Sequence, residues 1–566
     1  MYISKRQSFL QAAVILSLSM IMVKIMGAMF KIPLISIINE NGMGYYNTAF
    51  SLYSVFYSLS TAGFPTAISR LVSENLAKGN YTNILKIKKI SLPIFVLLGI
   101  ISSLIMLIIA KPYTNFIGNS LAYLPIIALT PSIFFCSVIS VYKGYYQGLS
   151  NMYPTAFCEI IEALIKLVLG LSFSYFTVKY LNSQFELNNT VLGISYADSH
   201  AYLVIYSLSA TSALVAVSLG SFFSLIYILI YNKFNKVSFV GNKLYSKPNT
   251  TKTLFIKLLR TALPVGIGSL SISFCMLLDS AILQKILYDL TQKFPNELLS
   301  LYGKYLPTEN LDNINSLPNY LYGCYSFSLT LFMLVPTIAQ AFATSAVPSL
   351  ASVWSLKSNK AIKLNIETIL RLTCIVSIPA GLGLTAVARP IVSVLNGSNG
   401  SSQIMSKILI ILGFAAVFSA VSIPINAMLQ AVGKAKIATI NLSMGLFLKV
   451  VLSYFLCQIV SINIFGACIS TLGCYLYVSL ANLICLVRFS PVKLDLITSV
   501  YKPLIVSIFS IITTFFISYY MMTVNFDMKL NVIISVGFAV VFYSILLLLT
   551  KTIKDSDINM IKNKLN

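Results

Sequence analysis

Apolar residues run through this chain in long stretches cut at charged positions or at clusters of Pro, Gly and Asn. The stretches fall at 8–38, 45–73, 90–110, 121–149, 152–178, 201–231 and 254–284, then at 318–354, 364–388, 403–432, 436–460, 463–487, 497–523 and 530–550. A bilayer core about 30 Å thick is crossed by roughly 20 apolar residues in a helix, so each stretch predicts one membrane-spanning helix, fourteen in all. The stretch 152–178 is the least uniform, because Glu159, Glu162 and Lys166 interrupt it. The first stretch reads as a retained span: it is longer than the apolar part of a cleavable signal and contains two lysines.

Composition agrees. Of 566 residues, 57% are apolar and only 10% charged, and the mean hydropathy is +0.84, outside the range of soluble domains, where about a quarter of residues are charged. The net charge of +24 would suggest nucleic acid in a soluble protein; here it follows membrane topology. With the N-terminus inside, 28 of the 40 basic residues fall on the cytoplasmic side against 5 acids, while the external loops carry 8 of each, as the enrichment of cytoplasmic loops in Lys and Arg requires. The even span count puts the C-terminus inside as well. The nine cysteines show no disulfide-like pairing and read as small core or lipid-facing residues.

The two halves repeat in the same direction. Thr66-Ala67-Ile68, Leu71, Ser73, Lys78 and Asn80 recur as Ser345-Ala346-Val347, Leu350, Ser352, Lys357 and Asn359, and Gln147-Gly148-Leu149 recurs as Gln430-Ala431-Val432, an offset at which Lys166 falls on Lys449. Parallel repeats of this kind are related about an axis along the membrane normal. The expected fold is therefore an all-α polytopic membrane protein with two parallel six-helix bundles around a central cavity and two further C-terminal helices. Its parts are an N-lobe with helices 1–6 (residues 1–235), a basic cytoplasmic linker (236–253), a C-lobe with helices 7–12 (254–488), and helices 13–14 with a cytoplasmic tail (489–566).

With the other charges of the stretches assigned to their cytoplasmic or external ends, seven ionisable residues count as intramembrane: Lys24, Lys31, Glu159, Glu162, Lys166, Asp279 and Lys449. A charge at the bilayer centre costs at least about 2.5–3.5 kcal/mol, so each should face protein or water. Lys24 and Lys31 are spaced i, i+7 and share a helix face; Lys31 lines a cavity or reaches the outer interface. Glu162 and Lys166, at i, i+4, have the spacing of a helix ion pair, with Glu159 one turn earlier. Lys449 lacks such a partner, since Gly445 stands where Glu162 does in the first half. Asp279, the one acid counted as intramembrane in the second half, binds a coupling cation or pairs with a lysine. No phosphate-binding glycine loop, metal-ligand spacing or nucleophile elbow is present, so the sequence points to no enzyme, no cofactor and no metal. The 33 Tyr and 35 Phe suit interfacial belts and helix cores.

Four stretches carry a resemblance. They are Gly42-Met43-Gly44-Tyr45-Tyr46 running on to Ser60-Thr61-Ala62-Gly63-Phe64-Pro65-Thr66-Ala67-Ile68-Ser69-Arg70; Lys143-Gly144-Tyr145-Tyr146-Gln147-Gly148 with Pro154-Thr155-Ala156 and Glu162; Leu321-Tyr322-Gly323-Cys324-Tyr325 with Pro336 and Ala343 to Leu350; and Leu429-Gln430-Ala431-Val432-Gly433-Lys434. In order along the chain, these resemble the multidrug/oligosaccharidyl-lipid/polysaccharide (MOP) exporter superfamily, and within it the group of stage V sporulation protein B and the MurJ-like lipid II flippases.

The resemblance implies transport of an undecaprenyl-pyrophosphate-linked saccharide, such as lipid II, to the outer leaflet of a bacterial cell membrane. Its implied partners are the lipid-linked oligosaccharide, the bilayer, and proteins of wall synthesis or sporulation. In MurJ-like relatives cavity arginines hold the pyrophosphate. Lys24 fits one such first-span position and Lys31 lies near a second, while those of the second and eighth spans have no basic match here; Lys166 and Lys449 are the available substitutes. Energy would come from the membrane potential or a cation gradient. A cation-coupled multidrug exporter of the same fold would favour acids in the cavity, and a non-transporting scaffold would not need Lys24.

Overall fold

The computed structural model describes residues 9–61, 63–235, 250–355, 357–397, 399–524 and 526–552. Most of the expected basic linker and the tail lysines Lys554, Lys562 and Lys564 lie outside them. The described chain is helical: α1 (Phe9–Thr61), α2 (Phe64–Ala77), α3 (Tyr81–Phe116), α4 (Tyr123–Gly148), α5 (Tyr153–Asn188), α6 (Asp198–Phe234), α7 (Thr251–Lys293), α8 (Pro295–Tyr302), α9 (Thr308–Asp312), α10 (Leu317–Phe332), α11 (Leu334–Ser355), α12 (Asn359–Ala386), α13 (Ala388–Asn396), α14 (Gly400–Ala431), α15 (Ala435–Cys457), α16 (Ile464–Phe489), α17 (Lys502–Thr523) and α18 (Met528–Leu549). One two-stranded hairpin, Thr190–Val191 with Ile194–Ser195, joins α5 to α6.

Twelve segments among the described residues are long and apolar enough to cross a membrane. Fourteen spans are consistent with this. The first segment, Leu18–Ala77, takes in most of α1, which at 53 residues and 1.5 Å per residue is more than twice a bilayer core in length. Asn39 breaks it, with φ 56° and ψ −177°, and its amide donates to the Tyr206 hydroxyl at 2.6 Å. The charged helix α5, 36 residues long, is not among the twelve.

The chain forms two compact units. The first comprises residues 1–288 and 308–323, the second 289–307 and 324–566. This grouping differs from the lobes drawn from the repeat, since most of α7 joins the first unit. Polar contacts along α7 give the reason: Gln284 accepts from Thr48 at 2.8 Å, Ser280 donates to Ser51 at 3.3 Å, and Ser273 meets Ser58 at 2.6 Å. Gly63 sits at the same seam. Its φ is +77°, and a Cβ there would collide with the Ala262 carbonyl and the Gly266 amide, so both backbone conformation and space require glycine.

Within the first unit, helices approach through small residues, as expected where lipid supplies no hydrophobic drive for association. Helices α5 and α6 exchange hydroxyl-to-carbonyl bonds at Ser174 and Ser209 (3.3 and 3.0 Å), and Ser224 donates to the Cys158 carbonyl at 3.1 Å. The Lys-Gly-Tyr-Tyr-Gln-Gly stretch of α4 divides by face. A Cβ on Gly144 or Gly148 would lie 2.7 Å from the carbonyl of Pro65 or Ser69 on α2. Tyr142 and Tyr145 hold Lys88 over their rings at 5.0 and 4.7 Å. Lys143 and Gln147 line a cavity.

In the second unit α14 packs with α11, α12 and α16. Asn482 donates to Asn426 at 2.6 Å and accepts from Asn441 at 2.8 Å, while Ser453 meets Ser470 at 2.7 Å. The last two helices attach through α12, where the Tyr543 hydroxyl donates to the Ile375 carbonyl at 2.9 Å.

Candidate functional site

The charged positions of the first unit gather along one face of α5, where Glu159, Glu162 and Lys166 succeed one another at i, i+3 and i+7. Opposite them runs an aromatic stripe of α1: Tyr46, Phe50, Tyr53 and Tyr57, spaced four, three and four residues apart. Consecutive rings lie 5.6, 5.4 and 5.6 Å apart, and Phe30 joins Tyr46 at 6.0 Å.

At one end of this ladder two lysines meet. The Lys166 ammonium stands over the rings of Phe30 and Phe50 at 4.9 and 5.2 Å. Lys31 lies 6.0 Å from the Tyr46 ring centre and donates to Asn47 Oδ1 at 3.4 Å. The two ammonium groups are within electrostatic range of each other. Neither has a carboxylate within ion-pair distance among the described residues. Ring faces supply each cation with about 0.5–2 kcal/mol, much less than the hydration lost. The Tyr46 hydroxyl, fully buried beside them, has no hydrogen-bond partner among the described residues.

The i, i+4 ion pair expected between Glu162 and Lys166 is therefore not formed. Lys166 turns to the rings, and Glu162 accepts from the Ser221 hydroxyl of α6 at 3.2 Å. Ser221 also receives the Cys136 thiol at 3.4 Å, and Tyr53 lies 3.9 Å from the same sulfur. Glu159 pairs across to α4, 3.3 Å from Lys143. Lys143, Glu159 and Glu162, with Tyr57, Thr61, Thr66, Ser140 and Gln147, line a cavity of about 310 Å³.

The other candidates stand apart. Lys24 is exposed on α1, among exposed apolar side chains such as Met20, Ile21 and Ile25. Asp279 is buried on α7, 6% exposed. Lys449 is half-buried on α15 in the second unit, within electrostatic range of Cys468. Two residues escaped the sequence reading because both were assigned to the cytoplasmic side. Lys143 lies inside the stretch 121–149 and Arg371 inside 364–388, so a position within an apolar run was the signal for both. Arg371 is the largest fully buried side chain among the described residues, 1% exposed, and donates to Thr368 at 3.5 Å. The aromatic stripe was visible as spacing but read as core.

A polytopic helical protein with an unpaired cationic site inside its spans has the features of a membrane transporter. The comparisons agree. Residues 9–242 match the family model described as polysaccharide biosynthesis protein, and residues 317–455 match the MatE model. Lipid II flippase MurJ of Bacillus subtilis (strain 168) is 23% identical over 90% of each chain. Stage V sporulation protein B of the same organism is 23% identical over 87% of this chain and 86% of its own. Among solved structures, a lipid II flippase MurJ in an inward closed conformation superposes with a TM-score of 0.61 at 14% identity, covering 94% of this chain and 99% of that one. An inward-facing multidrug resistance transporter of the MATE family also gives 0.61, at 15% identity over 85% of this chain and 99% of that one. The chain belongs to the MOP exporter superfamily. Within it, its place is the MurJ-like group.

Proposed function

We propose that this protein is a flippase that carries an undecaprenyl-pyrophosphate-linked saccharide, lipid II or a similar wall or cortex precursor, from the inner to the outer leaflet by alternating access. One observation carries the reading: Lys31 and Lys166 share a half-buried site with no carboxylate at ion-pair distance among the described residues. Two ammonium groups so placed repel each other until an anion enters, and a pyrophosphate supplies several negative oxygens at once. Lysine serves as a point charge, without the two-pronged fit of arginine to a phosphate, so the aromatic walls and Asn47 set the geometry. The saccharide occupies the water-filled part of the site and the prenyl chain stays in lipid.

The reading includes a bacterial cell membrane with both termini in the cytoplasm, and energy from the membrane potential or a cation gradient. A multidrug exporter of the same superfamily would leave the paired cations without a task. The test is complementation: the chain is expressed in bacteria depleted of their own lipid II flippase, and external lipid II is measured for wild type, Lys31→Ala and Lys166→Ala at matched protein levels. Wild type restores translocation and both variants lose it. Failure of a correctly inserted wild type excludes lipid II; restoration by all three removes the site.

A further inference from the structure

Helix α5 presents a cation to one end of the aromatic ladder and carboxylates to the other. The cavity at the second end has a consistent hydrogen-bonding polarity. Its lining hydroxyls donate inward to the protein's own backbone: Thr61 to the Tyr57 carbonyl at 2.7 Å, Thr66 to Gly63 at 2.7 Å, and Ser140 to Cys136 at 2.9 Å. The Gln147 amide donates to Thr155 at 3.4 Å, and the Lys143 ammonium is engaged by Glu159 at 3.3 Å. With these hydroxyl hydrogens engaged, the hydroxyl oxygens and the carboxylates of Glu159 and Glu162 face a ligand as acceptors, beside the Lys143 ammonium, which has N–H groups beyond the one that meets Glu159.

Charge gives the same answer. Lys143 and Glu159 cancel, leaving Glu162. That carboxylate is held by the Ser221 hydroxyl, has no cation within ion-pair distance among the described residues, and lines the cavity. Lys143 and Lys166 act on it only across longer electrostatic range, and a carboxylate inside a membrane span is costly without a direct partner. A free volume of about 310 Å³ is ample for an alkylammonium and for a partly hydrated ion.

We propose that this cavity is a binding site for a monovalent cation, the primary ammonium carried on the saccharide-peptide headgroup, with Glu162 as its counter-ion. The ladder from Phe50 through Tyr53 to Tyr57 joins it to the Lys31 and Lys166 site, so one headgroup presents phosphate to the lysines and ammonium to Glu162. The headgroup form of this inference rests on the proposed function. The same chemistry is met by a free metal cation, and the experiment separates the two sources.

The full chain in lipid nanodiscs is titrated with lipid II bearing a free lysine amine in its peptide, and with the same lipid acetylated at that amine. Wild type binds the amine form about tenfold more tightly, a difference of about 1.4 kcal/mol. Glu162→Gln binds both forms equally, Glu162→Asp keeps the preference, and Lys166→Ala weakens both forms by one common factor. In parallel, the Tm of lipid-free protein is measured in sodium, potassium and choline chloride. If the two lipids bind alike but sodium or potassium raises the Tm of wild type and not of Glu162→Gln, the cavity holds a free cation and the headgroup source is excluded. Equal lipid binding with no ion-dependent Tm overturns the cation site, as does an undiminished preference in Glu162→Gln. If wild type binds neither lipid, the proposed substrate fails and the Tm series alone decides the cavity.

Discussion

The two units treat some of their charged residues differently. In the first, Lys31 and Lys166 lie against aromatic rings and Glu162 against a hydroxyl, each without an opposite charge at ion-pair distance. In the second, Glu367 on α12 accepts from the Asp495 backbone amide at 2.8 Å and lies 3.8 Å from Lys363. Arg371, one turn further on, is sealed from solvent beside Thr368. Charges satisfied by neighbouring protein hold a structure together; charges held apart from their partners are available to something that arrives. The first arrangement reads as a receptor and the second as a fastening between α12 and the segment that leads into α17.

The largest expected effect tests the fastening. Arg371→Ala empties a fully buried site and removes the hydrogen bond to Thr368, and the cavity left by a large buried side chain costs about 2–5 kcal/mol. A pronounced fall in Tm in detergent, followed by intrinsic fluorescence, is the expected outcome. An unchanged Tm would break the contrast between the units at its stronger end.

Lys166→Ala should behave in the opposite way. Removing an unpaired ammonium takes away no ion pair, so the Tm stays within about a degree of wild type or rises. Affinity for the lipid-linked pyrophosphate falls instead, by about 1.5–3 kcal/mol for a lost charged hydrogen bond, measured by equilibrium titration in nanodiscs. A variant that loses stability and keeps affinity would move Lys166 into the structural class.

Lys143→Met sharpens the comparison inside the first unit, because Lys143 is the charge there that does have a partner. The pair is largely shielded, with side chains 19% and 27% exposed, so its loss leaves Glu159 uncompensated and lowers stability by about 1–3 kcal/mol. The drop in Tm should lie between those of the two preceding variants, and Lys143→Arg should restore most of it.

The fold was legible because its signal is cumulative: every span is an apolar run, and the broken helix at Asn39 falls between the first two runs. Lys31 and Lys166 were legible for the same reason, as costly residues in cheap surroundings. Their partners were not. Spacing on one helix favours Glu162 with Lys166, but it is silent about Phe30 and Phe50, which reach Lys166 from another helix, and about Ser221, which reaches Glu162 from α6. Lys143 and Arg371 were hidden because hydropathy places a charge along the membrane normal and carries nothing about whether that depth is water, as for a cytoplasmic loop, or packed protein.

The smallest effect concerns Ser221, which donates to Glu162 while receiving the Cys136 thiol. If Glu162 is held ready for a cation, its hydroxyl partner orients the carboxylate and contributes the net value of one hydrogen bond to a charged group that water also reaches, about 0.5–1.5 kcal/mol. Ser221→Ala should therefore leave the Tm nearly unchanged and cost less than tenfold in preference for the free-amine lipid over its acetylated form. Ser221→Thr, which keeps the hydroxyl, should retain that preference if the extra methyl group is accommodated beside Cys136. A fall in Tm as large as that of Lys143→Met would show that the Ser221 contact is a fastening like those of the second unit, and that Glu162 is committed to the protein rather than to a ligand.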